Sequence, residues 1–168
     1  MRLVRFVGVV ALGACGMPLF RAPPPAPQAM PAPPRFAAAF SSIAWYQGGC
    51  LGSCPVYQIA LTSGGLAQYD GRCFTPLVGR YQALIDSTTF ARAATLILGS
   101  DFFRSDTLLG LAVDMPSITI TVVLTDGRRR TVTYGLVYAR YEPQLEGLVA
   151  RLPWRYIGPA EHECALPN

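Results

Sequence analysis

The chain has 168 residues, enough for one domain plus appendages, and 51% apolar against 14% charged side chains is enough to bury a core. All fourteen basic side chains are Arg, which excludes lysine Schiff-base chemistry and a phosphate loop ending in Gly-Lys-Ser/Thr for this chain alone. The single histidine, His162, excludes a multi-histidine zinc site, and any Ser-His-Asp or Cys-His machine would have to use that near-terminal residue.

Residues 1–14 place Arg2 and Arg5 before an apolar run from Phe6 to Ala14, too short for a bilayer span of about 20 residues. Basic residues, a short apolar stretch and small residues before the cut form a secretory signal. Leu12-Gly13-Ala14-Cys15 resembles the bacterial lipobox, which implies cleavage before Cys15 and a diacylglyceryl group on its sulfur. Each buried methylene contributes about 0.8 kcal/mol, so acyl chains replace the lost apolar peptide as the anchor. Gly16, in place of Asp, resembles the sorting pattern of outer-membrane lipoproteins.

Residues 15–35 then form a tether. Eight of the fifteen prolines fall between Pro18 and Pro34, interleaved with Ala, and such a stretch adopts extended polyproline geometry. At roughly 3.1 Å per residue it would hold the domain on the order of 50 Å from the lipid surface. Loss of Arg2 and Arg5 leaves twelve Arg against ten acids, too mild a balance for a nucleic-acid partner.

The folded domain is expected over 36–168. Ile43 to Gln47 reads as a short strand, and Val56 to Thr62 alternates with Tyr57, Ile59 and Leu61 on one side. Ser63-Gly64-Gly65 is a hairpin loop, and a return over Leu66 to Asp70 sets Leu61 opposite Ala67 and Ile59 opposite Tyr69. Gly79 to Ile85 is the next strand. Asp86 or Ser87 caps a helix reaching Leu98, with Phe90, Ala93, Ala94 and Ile97 as its apolar stripe. A hairpin follows: Ile118 to Leu124 alternates, Asp126-Gly127 turns, and Val132 and Tyr134 mark the return. In Arg128-Arg129-Arg130, alternate members point to opposite faces, and the run reads as a solvated loop. Pro143 opens a last helix with Leu145, Leu148, Val149 and Leu152 on its stripe. The order ββββ-α-ββ-α lacks a crossover pattern and implies an α+β domain: an antiparallel sheet of about six strands with two helices on one face.

With Cys15 acylated, Cys50, Cys54, Cys73 and Cys164 remain, an even number for an oxidising compartment. Cys50 and Cys54 flank Leu51-Gly52-Ser53, a loop Gly52 can turn, and Cys73 and Cys164 would pair by elimination; crossed pairings stay open.

The run Cys50-Leu51-Gly52-Ser53-Cys54-Pro55-Val56-Tyr57 resembles the Cys-x-Gly-x-Cys-Pro-x-Tyr pattern of a bacterial family, domain of unknown function 6438. Gly52, Pro55 and Tyr57 carry that motif. Gly79, Phe102-Phe103, Asp114-x-Pro116 and Trp154 add matches, so the resemblance spans about Ser41 to Ile157. Gly64 departs from it, where the family tends to carry Asp, and Cys73 and Cys164 fall outside the pattern as an added staple. The resemblance implies a secreted or lipid-anchored domain and names no catalytic residue.

The resulting expectation is a non-catalytic domain of the bacterial envelope, anchored by lipid on Cys15, on the outer membrane and facing the periplasm. It would bind a protein or cell-wall polymer and carry no cofactor beyond the lipid. Nothing in the residues sets an oligomeric state. The competing expectation is thiol redox or Cu(I) handling by Cys50 and Cys54, with His162 as third ligand, because soft thiolates and imidazole suit Cu(I). Asp101, Asp106 and Asp114 do not form an evident carboxylate pair for glycan cleavage. Tyr46, Tyr57, Tyr69, Tyr81 and Tyr134 serve either cross-strand packing or the lining of a groove.

Overall fold

The computed structural model describes residues 39–105, 108–109, 114–135, 142–161 and 164. The expected signal peptide, Cys15, the tether, Asp106 and His162 lie outside these residues. In chain order the elements are β1 (Phe40–Gln47), β2 (Val56–Thr62), β3 (Leu66–Cys73), β4 (Gly79–Leu84), α1 (Ser87–Gly99), β5 (Leu108–Leu109), β6 (Ser117–Leu124), β7 (Arg129–Gly135), α2 (Glu142–Val149) and β8 (Arg155–Gly158).

One sheet holds all eight strands in the order β5-β7-β6-β1-β2-β3-β4-β8. Every pairing is antiparallel except β5 with β7. The domain is therefore α+β, a largely antiparallel sheet with two helices, and the expected count of about six strands is corrected to eight. Both additional strands are at the sheet edges. β5 has two residues, and β8 reads Arg-Tyr-Ile-Gly with its first three residues exposed, so neither carries the alternation that marks a half-buried strand. The first strand also starts earlier than expected, at Phe40, whose side chain is buried.

Alternation explains which face is covered. Ile43, Trp45 and Gln47 of β1 stand opposite Leu61, Ile59 and Tyr57 of β2, and opposite Val122, Ile120 and Ile118 of β6. Leu61 faces Ala67 and Ile59 faces Tyr69, the register expected from the hairpin loop. Thr62 closes that loop with its hydroxyl, which accepts from the Leu66 amide at 3.2 Å. The apolar members of these pairs point to one side and join Phe90, Ala93, Ala94 and Ile97 of α1 and Leu145 and Val149 of α2 in a single core. Burying each large aliphatic side chain there contributes about 1.5–3 kcal/mol, so the one-sided pattern fixes the register.

The helix boundary follows from capping. Asp86 accepts a hydrogen bond from the Thr89 amide at 2.6 Å, and the Ser100 amide donates to the Ile97 carbonyl at 3.2 Å. The other sheet face carries Thr119, Thr121, Thr131 and Thr133, whose hydroxyls pair across β6 and β7 at 3.0 Å, followed by Ala44, Ala60, Gln58, Gln68 and Gln82. Most of its register pairs are polar or small, as a face turned to water requires, with Tyr46 and the Leu66–Leu84 pair among the large side chains on it.

Candidate functional site

The Cys-x-Gly-x-Cys-Pro-x-Tyr segment lies between β1 and β2. Cys50 and Cys54 are joined by a disulfide with a Cα–Cα distance of 5.6 Å, and Gly52 takes a φ of 140°, in the region that favours glycine. Leu51 at the loop tip is 81% exposed. Pro55 precedes β2, and two residues later Tyr57 enters the core face. The motif thus closes a tight connection and delivers one aromatic side chain to a fixed place.

That place is the floor of a cleft. Tyr57, Ile59 and Tyr69 of the sheet, Thr75, Pro76 and Leu77 of the β3–β4 connection, Glu146, Val149 and Ala150 at α2, and Trp154 enclose about 450 Å³. This falls within the roughly 300–1,000 Å³ typical of small-molecule sites. Tyr57 and Tyr69 stack at 5.8 Å between ring centroids, and Trp154 tilts against Tyr69 at 5.7 Å. The Trp154 indole N–H donates to the Val149 carbonyl at 3.2 Å, which fixes the ring at the end of α2. Tyr69 hydrogen-bonds Thr75 through their hydroxyls and holds the β3–β4 connection over the sheet. Gly71 makes this approach available, for a Cβ there would lie 1.8 Å from the Leu77 carbonyl oxygen.

Two carboxyl groups border the same region one helical turn apart on α2. Glu142 is 7% exposed, and the Tyr57 hydroxyl is 3.4 Å from its Oε1 and 3.3 Å from Gln47 Oε1. One phenolic hydrogen therefore serves two acceptors, at long distances for hydroxyl donors. Burial pushes both the Glu142 and the Glu146 carboxyl above their ordinary range. At the first residue of α2 the helix dipole favours a charged Glu142 by about 0.3–1 kcal/mol, yet loss of water outweighs it in the direction of the shift. Among the described residues neither glutamate has an ion-pair partner.

The remaining candidates lie elsewhere. Cys73 and Cys164 are joined by a second disulfide, which ties the chain after β8 to the end of β3. Arg80 donates to the Pro159 carbonyl at 3.0 Å, and the Glu161 amide donates to Asp70 at 3.2 Å, along the same tail. The recess beside them, lined by Gln58, Asp70, Arg80 and Glu161, encloses only about 130 Å³. Asp114 adopts a φ of 67° before β6 and is exposed, so it shapes a turn. Asp101 is likewise exposed. Of the five tyrosines expected to pack or to line a groove, Tyr57 and Tyr69 line the cleft; Tyr46 lies under the Arg72 guanidinium at 5.4 Å from the ring centroid, Tyr81 meets Tyr69 edge-on and donates its hydroxyl to the Val78 carbonyl at 3.2 Å, and Tyr134 is fully buried. Cys50 and Cys54 are bonded to each other and His162 lies outside the described residues; among the described residues no three His, Cys, Asp or Glu side chains cluster to hold a metal ion.

Arg130 differs from the solvated loop expected for its run. Its Nε donates to the Phe102 carbonyl at 3.0 Å and its Nη2 to the Ser105 carbonyl, so it ties the turn after α1 to β7. Arg128 and Arg129 are exposed, and Arg128 pairs with Asp126 at 2.7 Å. Sequence reasoning missed Glu142 and Glu146 as site residues; their one-turn spacing at the start of an amphipathic helix was the available signal.

No curated protein matches this chain. Residues 41–153, from the second residue of β1 to just past α2, match the family model described as Domain of unknown function (DUF6438), and the chain belongs to that family.

Proposed function

We propose that this protein is a non-catalytic domain, held in the bacterial envelope by lipid on Cys15, that binds an envelope protein or polymer fragment through the cleft between the sheet and α2. The observation that carries the reading is the cleft itself: about 450 Å³, floored by Tyr57 and Tyr69 and walled by Trp154. Aromatic rings offer large apolar contact with few rotamers to freeze on binding. Glu142 and Glu146 project from one turn of one helix, an arrangement that supports binding over glycan cleavage, which needs carboxyl groups on either side of the scissile bond.

The chain has two tryptophans, and Trp45 is 1% exposed in the core, so changes in emission on binding report Trp154. Soluble envelope extract added to the full chain should shift that emission, and Trp154→Phe should abolish the shift. An unchanged wild-type spectrum contradicts the binding role. For the anchor, Cys15→Ala should release the protein from membranes; a variant that still fractionates with membranes contradicts it.

The competing reading, thiol redox or Cu(I) handling by Cys50 and Cys54, is favoured by one observation, the exposed tip of their loop. Reactive thiols or Cu(I) uptake in the protein purified without reductant would support it. The alternating strand that follows Pro55 speaks against it, because no helix N-terminus is there to lower a thiol pKa.

A further inference from the structure

The cleft lining is chemically lopsided. Its walls are aromatic and aliphatic, and its one ionisable carboxyl, on Glu146, faces no basic side chain among the described lining residues. Glu142, one turn earlier on α2, adds a second acidic group, whose hydrogen-bond partner among the described residues is the shared Tyr57 hydroxyl. A carboxylate withdrawn from water costs free energy that a cation can offset, and an ammonium over an aromatic face gains further attraction from the ring, with tryptophan the best platform. The indole of Trp154 is pinned by its bond to Val149 and so presents a fixed face.

We infer that the cleft binds a small organic cation, an ammonium carried on an apolar or aromatic stem, with the ammonium paired to Glu146 and the stem laid against Tyr69 and Trp154. This rests on the cleft being a binding site and specifies its ligand class. The withdrawal of Glu146 from water, which raises its pKa, supports the assignment. Anionic ligands are disfavoured by the same carboxyls, and neutral ones gain only the apolar contact.

The test uses the full chain in neutral detergent at constant ionic strength and follows Trp154 emission. The probes are phenethylammonium, its neutral analogue 2-phenylethanol and its anionic analogue 3-phenylpropanoate. Phenethylammonium should saturate with a Kd at least about tenfold below that of the alcohol, the increment expected of one partly desolvated charge pair. Glu146→Gln should raise its Kd to that of the alcohol and leave the alcohol unchanged, with thermal melting checking that the variant folds. Equal binding of cation and alcohol, tighter binding of the carboxylate, or an unaffected Glu146→Gln variant overturns the cation assignment while leaving the cleft a binding site. Saturable binding by none of the three probes overturns the cation assignment, and a response to envelope extract in the same sample then shows that the site itself stands.

Discussion

Removing each disulfide separately should have unequal consequences, and the structure gives the ratio. The Cys73–Cys164 bridge closes a loop with a sequence separation of 91, whereas Cys50–Cys54 spans 4. By loop-closure entropy of the unfolded chain the long bridge contributes about 4.6 kcal/mol and the short one about 1.9 kcal/mol. The native tail keeps other attachments: β8 pairs with β4, Arg80 holds the Pro159 carbonyl, and Asp70 holds the Glu161 amide. The folded state should therefore survive loss of either bridge, and the difference should arise in the denatured ensemble. Urea unfolding of Cys73→Ala/Cys164→Ala and Cys50→Ala/Cys54→Ala, followed by far-UV circular dichroism without reductant, measures it. With a slope of about 2 kcal/mol per molar, the midpoint should fall by about 2 M for the first pair and about 1 M for the second. Equal losses, or a larger loss at the short loop, would refute the entropic account and point to native contacts of the 50–54 loop as the stabilising element.

Gly71→Ala places a methyl group against the Leu77 carbonyl and the Tyr69 ring, so the β3–β4 connection must lift; unfolding free energy should drop by about 1–3 kcal/mol, measured by urea titration. Glu142 has a raised folded pKa, so the native state holds more protons than the unfolded chain between the two pKa values, and stability falls as pH rises through that window. Glu142→Gln should remove that part of the slope and stabilise the domain at pH 7 by on the order of 1 kcal/mol, Glu146 keeping its own contribution. Asp86 has the opposite sign: its helix-cap bond to Thr89 lowers its pKa, so its contribution is present at neutral pH and lost as pH falls through the folded value. Asp86→Ala should lower Tm at pH 7 and match the parent melt in strong acid. Asp114 sits at a φ of 67°, so Asp114→Gly should be tolerated and Asp114→Val should cost about 1–2 kcal/mol by thermal melting.

The central hairpins were legible because their side chains obey a period of two and their turns carry diagnostic residues. Leu61 opposite Ala67 and Ile59 opposite Tyr69 follow from a three-residue loop and alternation alone. β8 was not legible, since an exposed edge strand pairs through its backbone and leaves no burial pattern in Arg155, Tyr156 and Ile157. Arg130 was misread for a related reason: its partners are the carbonyls of Phe102 and Ser105, and main-chain acceptors 25 and 28 positions away have no signature in composition. The cleft was half legible. The family motif singled out Tyr57, but its partners Glu142 and Gln47 lie 85 and 10 residues away, and Trp154 and Glu146 converge on it through tertiary packing.

Photo-crosslinking in bacterial cells tests the binding role most directly. A photoreactive residue at Ala150, on the cleft rim, should capture a discrete envelope component, and the same residue at Gln82, on the opposite sheet face, should not. Capture from Gln82 alone, or identical products from both positions, would contradict a ligand held between the sheet and α2.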